Sequence, residues 1–368
     1  MQGWRTPFSA DLAITSRCNL RCSYCSHFTS AGDVGEDLPK EEWLRFFGEL
    51  KECYVFSVAL QGAEPFFRKD LPELIEGIVG NRMRYSILSN GTLIHEEMAA
   101  FLASTNRCDG VQVSIDSAVP ATHDAFRGQG SFSRAIRGIE ALRTYGVPVS
   151  VRVTIHTLNV PDIEETARFL LEDMGLPGFS TNAASYLGLC RQNSAAVQLT
   201  ADERTLVMKK LLLLNRRYPG RISGTAGPLA DALMWVDMER AREEGREDLP
   251  GGGCLSACGG PFEKIAVRSD GIIVPCIQMA HLKLGRINEV SLKEVWQGHE
   301  TLKRLRNRSR IPLSEFKFCR GCDYVPYCTG NCPALAYTIT GDEYHPSPDA
   351  CLRRFLKDGG RLPALDLG

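Results

Sequence analysis

The 368-residue chain has no apolar run approaching the roughly 18 to 20 residues that a membrane-spanning helix needs. Its start, Met-Gln-Gly-Trp-Arg-Thr-Pro, sets no hydrophobic stretch behind its first charge, so it does not read as an export signal. The protein is therefore expected in the cytoplasm. Neither sign of charge dominates: 43 Lys and Arg stand against 44 Asp and Glu, a net charge of −1 with the signs scattered. Without a sustained basic face, a nucleic-acid backbone is not an expected partner, and neither is a membrane. Apolar residues at 43% and charged residues at 24% describe an ordinary globular protein. Its length exceeds what one core usually organises, so a large domain and a smaller one are expected.

Cysteine, by contrast, is plentiful. Fourteen thiols are too many for a reducing compartment to turn into lasting disulfides, and metal is the better explanation. Three stand together as Cys18, Cys22 and Cys25, eight lie between Cys254 and Cys351, and Cys53, Cys108 and Cys190 stand alone. The lone three read as small buried apolar residues or exposed bystanders. Three thiolates leave one corner of a four-iron, four-sulfur cluster open, whereas a closed electron-transfer site uses four. A zinc site is the competing reading of either group, because zinc knuckles also use Cys-x2-Cys pairs.

The first half alternates short apolar runs with longer helical patterns, the mark of repeated strand–helix units and a parallel sheet. Strands are expected at 10–15, 55–60, 85–88, 110–115, 149–155 and 178–182. Helices are expected at 40–51, 71–79, 96–103, 132–145, 163–173 and 202–215, the first with Trp43, Phe46, Phe47 and Leu50 on one face. Six units are two short of an eightfold barrel, and reactive groups should gather where the strands end. The Cys18–Cys25 loop follows the first strand, as that rule requires. A charged and then glycine-rich stretch ending in Leu-Pro-Gly-Gly-Gly253 marks a linker. Expected boundaries are a barrel at 1–240, the linker at 241–253, a cysteine-rich domain at 254–355 and a tail at 356–368.

The Cys18-x3-Cys22-x2-Cys25 spacing, with Tyr24 before the last cysteine, resembles the cluster loop of the radical S-adenosylmethionine (SAM) enzymes. In that family the open iron holds the amino and carboxylate groups of SAM, and one electron cleaves it to methionine and a 5′-deoxyadenosyl radical. Gln61-Gly62-Ala63-Glu64-Pro65 is similar to the family's Gly-Gly-Glu-Pro motif, which meets the SAM amino group; an acidic residue there suits an ammonium, and glycine lets backbone approach closely. Ser89-Asn-Gly-Thr92 also fits the family's run and is a turn on any reading. Gln112–Asp116 resembles a Ser-Leu-Asp segment. The run from Phe132 to Arg137 resembles a helix start whose arginine pairs with the cofactor carboxylate. Ser114 and Arg137 are carried over as SAM contacts, with Arg134 as the rival arginine.

The second cysteine array runs Cys254-x3-Cys258, Gly271-x4-Cys276, Cys319-x2-Cys322-x5-Cys328-x3-Cys332 and Cys351, with a hairpin turning at Ser269-Asp-Gly271. It is similar to the SPASM extension of radical SAM enzymes that modify peptides. The resemblance implies an α/β fold, a partial (β/α)6 TIM barrel followed by a small SPASM domain with a β-hairpin. It also implies three [4Fe-4S] clusters beside SAM: one on Cys18, Cys22 and Cys25, a nearer auxiliary one on Cys254, Cys258, Cys276 and Cys332, and a farther one on Cys319, Cys322, Cys328 and Cys351. Sulfatase maturases place an aspartate directly after the cysteine of the glycine-led motif, whereas here Ile277, Gln278 and Met279 follow Cys276.

The reading that results is hydrogen abstraction from a residue of a ribosomally made peptide, giving a cross-link, epimerisation, cleavage or oxidation. Its alternatives are a small-molecule or tetrapyrrole enzyme of the same architecture, a sulfatase-type maturase and a non-catalytic electron carrier. An external one-electron donor of flavodoxin or ferredoxin type is expected. The first strand begins within about ten residues of the start, so leader binding falls to a separate recognition protein in this reading. No general base is assigned, although His27, Tyr24 and Glu64 lie near the expected cofactor.

Overall fold

A computed structural model describes residues 5–27, 35–246, 249–256 and 258–363. Residues 247 and 248 of the expected linker and 364–368 of the expected tail lie outside the described residues. Ten strands form one sheet: β1 (Ser9–Thr15), β2 (Ser57–Gly62), β3 (Arg84–Ser89), β4 (Cys108–Ser114), β5 (Val149–Ile155), β6 (Phe179–Ala183), β7 (Ile222–Gly224), β8 (Lys264–Val267), β9 (Ile272–Val274) and β10 (Gly285–Arg286). Their order is β10-β9-β8-β1-β2-β3-β4-β5-β6-β7, parallel from β8 to β7, with β9 and β10 antiparallel at one end. Consecutive parallel neighbours joined by helices are the partial barrel expected from the alternating pattern.

The strands alternate: on the face that the helices cover, Leu12, Ile14, Leu60, Ile87, Val111, Val113, Val151 and Val153 are all inaccessible, while Asp11, Ala59, Ser86 and Gln112 on the other face are half-buried. Between the strands run α1 (Lys40–Glu52), α2 (Leu71–Gly80), α3 (Glu96–Ser104), α4 (Pro120–Arg127), α5 (Ser131–Thr144) and α6 (Ile163–Arg168). After them come α7 (Gly188–Gln192), α8 (Ser194–Val197), α9 (Ala201–Arg217) and α10 (Pro228–Glu244). Helix α1 buries Trp43, Phe46, Phe47 and Leu50 as its spacing requires. One π-helical turn, Phe169–Asp173, carries the segment opened by α6 to its expected end. In α9, Thr200 and Glu203 close a capping box, side chain to backbone in both directions.

Among the elements not expected, three bear on the barrel. Helix α4 has only eight residues between Pro120 and Gly128, too few to display a helical period. Strand β7 is three residues long and includes Gly224. Helix α10 runs to Glu244, so its last turn occupies the start of the stretch expected to be linker. The hairpin of β8 and β9 turns where Ser269-Asp-Gly271 places it. Gly271 has φ +83°, and a Cβ there would meet a Leu38 methyl at 3.0 Å, so glycine suits both the turn and the packing.

Candidate functional site

The Cys18–Cys25 loop leaves the end of β1 and is strapped down by the turn after β2. Ala63 N–H donates to the Thr15 carbonyl at 3.1 Å and Glu64 N–H to the Arg17 carbonyl at 2.9 Å. Gly62 has φ +124°, and a Cβ there would stand 2.5 Å from the Thr15 carbonyl oxygen, which is why glycine is needed at this position. Ala63 keeps its methyl without disturbing these straps.

A cavity of about 260 Å³ opens over the strand ends, lined by Cys18, Cys22, Tyr24, Cys25, Gly62, Ala63, Asn90, Ser114 and Arg127. Of the residues expected to meet SAM, the structure brings Tyr24, Gly62, Ala63 and Ser114 to this cavity. Glu64 and Pro65 stand behind its wall, both buried. The Glu64 carboxylate is spent on the next turn, accepting from Ser89 Oγ at 2.8 Å, Asn90 N–H at 2.7 Å and Phe66 N–H at 3.2 Å. Burial pushes its pKa up to about 7 against those three donors. Arg137 is exposed, because Ala135, Gly138, Ile139 and Leu142 are the α5 positions packed inward. Arg134 is half-buried with its guanidinium on the Gln129 carbonyl at 3.3 Å.

The arginine that reaches the cavity wall is Arg127, at the end of α4. It forms a buried two-point ion pair with Asp116, 2.6 Å at Nε and 3.1 Å at Nη2. Tyr24 Oη donates to the same carboxylate, and Thr154 N–H adds a bond at 3.1 Å. Burial works against the Asp116 charge, but the Arg127 guanidinium overrides it and holds the carboxyl well below its usual range. Tyr24 also packs near the buried His156 ring, which stacks on Phe126 with centroids 3.9 Å apart; burial pushes the His156 pKa down to about 4. Sequence reasoning missed Arg127 because it missed α4. The only available signal was Asp124, which caps the following turn through Gly130, Ser131 and Phe132.

A second cavity of about 600 Å³ shares Ser26, Gln61, Gly62 and Gln278 with the first and extends past the β8–β9 hairpin to His281 and Tyr337. Its arginine, Arg268, is engaged by Asp270 at 2.7 Å and by the Ala280 carbonyl at 3.0 Å. The His281 ring lies flat on Tyr337, centroids 3.5 Å apart, with Nε2 3.8 Å from the Glu343 carboxylate.

In the C-terminal part, burial raises the pKa of Cys276 and of Cys332; the nearby Cys332 and Cys258 thiols add to the rise at Cys276, and Cys258 adds to that at Cys332. The backbone of Cys254 forms an isolated bridge to Pro312. Arg308, fully buried and not foreseen, donates to the carbonyls of Glu343, Asn331, His345 and Ser256 and so ties this group's loops together. Cys319, Cys322, Cys328 and Cys351 line one small apolar cavity. The four thiols expected of the farther set thus lie around one cavity, and three of the four expected of the nearer set, Cys258, Cys276 and Cys332, lie near one another.

All fourteen thiols are free. No three His, Cys, Asp or Glu side chains among the described residues close on a single ion. The fit of iron–sulfur clusters therefore rests on the grouping and chemistry of the thiols. Burial pushes Cys18 up to about 11 and Cys22 up to about 12, so a cationic centre is what would bring them to thiolates. Around the first cavity, Asn182 Oδ1 and Gln278 Oε1 are buried without a hydrogen-bond partner, acceptors suited to a ligand that carries N–H groups.

Residues 12–170 match the Radical SAM superfamily and residues 258–323 the SPASM iron–sulfur cluster-binding domain. The chain belongs to the radical SAM enzymes that carry a SPASM domain, and its cofactors are SAM and [4Fe-4S] clusters, auxiliary ones included. It is 27% identical to an AdoMet-dependent heme synthase of Methanosarcina barkeri, over 91% of this chain and 93% of that one. It is 29% identical to the Fe-coproporphyrin III synthase of the same organism, over 92% and 86%. A PqqA peptide cyclase of Granulibacter bethesdensis is 27% identical over 89% and 83%. In fold it is similar to Streptococcus suis SuiB bound to precursor peptide SuiA, with TM-score 0.71 and 17% identity, over 95% of this chain and 77% of that one. It is likewise similar to anSMEcpe with bound AdoMet, with TM-score 0.69 and 18% identity, over 96% and 93%. No described helix is long and apolar enough to cross a membrane.

Proposed function

We propose that this enzyme modifies a residue of a ribosomally made peptide. The observation that carries the reading is the lining of the larger cavity. It offers amides and hydroxyls, Gln61, Gln278, Ser16 and Ser26, which suit a peptide backbone, while its arginine is already neutralised by Asp270. A tetrapyrrole with several carboxylates calls for cations that are not engaged elsewhere. The similarity to PqqA peptide cyclases supports the same reading. Cys18, Cys22 and Cys25 would hold the barrel cluster, which when bound supplies the electron that splits SAM. Tyr24, the Gly62–Ala63 backbone and Ser114 would seat the nucleoside and amino-acid ends of SAM. The peptide would enter by the larger cavity and lie against the smaller one, where abstraction needs near-contact geometry.

With a candidate precursor deuterated at successive positions, label should pass to 5′-deoxyadenosine from a single site while the peptide changes mass in step. The heme and coproporphyrin synthases among its relatives support a second reading, a tetrapyrrole substrate. Turnover of a porphyrin, with every genomically adjacent peptide inert with and without a recognition partner, would establish that reading instead.

The farther thiol set gives a separate test. Replacing Cys319 and Cys322 by alanine should leave reductive cleavage of SAM measurable by 5′-deoxyadenosine formation and stop product formation on the substrate. Full turnover by this variant would remove the farther cluster from the electron path.

A further inference from the structure

The turn after β3 touches the cysteine loop through one side chain. Asn90 Nδ2 lies 3.6 Å from Cys18 Sγ and 3.0 Å from Asn19 Oδ1. Its orientation is fixed from the other end: Asn90 Oδ1 accepts from Thr92 N–H at 2.9 Å and from Thr92 Oγ1 at 2.7 Å, so the amide nitrogen must face the sulfur. Asn19 Nδ2 closes the ring by donating to Thr92 Oγ1 at 2.8 Å. The Asn90 backbone is held by the Glu64 carboxylate, whose own backbone is strapped to Arg17. Glu64, Asn90 and Cys18, from three successive strand ends, thus form one chain of contacts ending on a cluster ligand. The Leu20 N–H, 3.3 Å from the same sulfur, is the second donor to it.

A hydrogen bond to a ligand sulfur withdraws negative charge and favours the reduced, more negative state of a cluster, which raises its potential. Resting on the radical SAM reading of Cys18, Cys22 and Cys25, we propose that Asn90 is a positioning residue that tunes the barrel cluster. Its amide, aimed by Thr92 and anchored by Glu64, donates to the Cys18 sulfur and holds the potential above what the three thiolates alone would set. The donor is placed on one sulfur of three, so the tuning acts at the Cys18 corner.

The test is a redox titration of the anaerobically reconstituted full chain, following the electron paramagnetic resonance signal that changes on addition of SAM. Asn90→Leu removes the donor. Asn90→Ser keeps a side-chain oxygen for the Thr92 turn but cannot reach the sulfur. In both, the reduced-to-oxidised ratio at fixed poise should fall about tenfold, ~59 mV for one electron, with the auxiliary signals unmoved. Glu64→Gln should move the same signal in the same direction by less. An unshifted midpoint in Asn90 variants of wild-type iron content would overturn the proposal, and so would loss of the SAM-responsive signal from folded Asn90 variants, which would make the residue structural. A wild-type chain with no SAM-responsive cluster would instead overturn the cluster reading on which the proposal rests.

Discussion

Replacing Cys18, Cys22 and Cys25 together by alanine should remove about four irons of roughly twelve from the reconstituted chain and abolish SAM cleavage altogether. The count follows from three ligands in the barrel and eight beyond it, and the independence of the groups follows from their placement. The first three thiols line the strand-end cavity, whereas Cys319, Cys322, Cys328 and Cys351 line a cavity of their own. Iron and sulfide analysis with measurement of 5′-deoxyadenosine reads both effects. Retention of all the iron, or loss of all of it from folded protein, would contradict the separation; tight zinc with little iron in the unaltered chain would replace iron–sulfur chemistry with a structural metal.

Asp116→Ala should destabilise the barrel by about 3–5 kcal/mol, because it strands the Arg127 guanidinium where water does not reach. The Asp116 side chain is wholly inaccessible and that of Arg127 nearly so. The carboxylate also takes the Tyr24 hydroxyl, so the loop carrying Cys22 and Cys25 should loosen along with α4. Denaturant unfolding measures the first effect and SAM affinity the second. Adding Arg127→Leu should restore much of the stability, since no uncompensated charge then remains, although Arg127 leaves the cavity wall. An Asp116→Ala protein as stable as the parent would show that the pair is not the anchor inferred here. The folded pKa of Asp116 lies below its unfolded value, so its contribution is complete above the ordinary carboxylate pKa and fades as pH falls through the depressed one.

Strand–helix alternation made most of the barrel legible, and β5 spans the residues expected of it. β2 begins two residues later than its apolar run. Val55 N–H closes the end of α1 on the Leu50 carbonyl, so an apolar residue that reads as strand serves a helix terminus. The same limit hid Arg127. Eight residues between a proline and a glycine carry no period, and an arginine in such a stretch looks like turn, whereas Arg137 on a long clear helix looks chosen. Burial along α5 decides otherwise, as its inward positions leave Arg137 to solvent. Cysteine spacing revealed the thiol groups because spacing is the chemistry there. The roles of Asn90 and Arg308 depend on which loops fold against one another, and no local pattern encodes that.

β8 pairs in parallel with β1, Ser9 with Lys264 through Leu12 with Val267. The strand that leads into the first cysteine loop is therefore hydrogen-bonded to the strand that opens the glycine-led hairpin and leads on to Cys276. A hinge between the two halves would have to tear that ladder. The span from the Cys18–Cys25 loop to Cys276 is thus set by covalent and hydrogen-bond geometry, and an electron passing between clusters held at these two places would meet a barrier of constant width. The two thiol-bearing loops are held like fixed posts on a single frame.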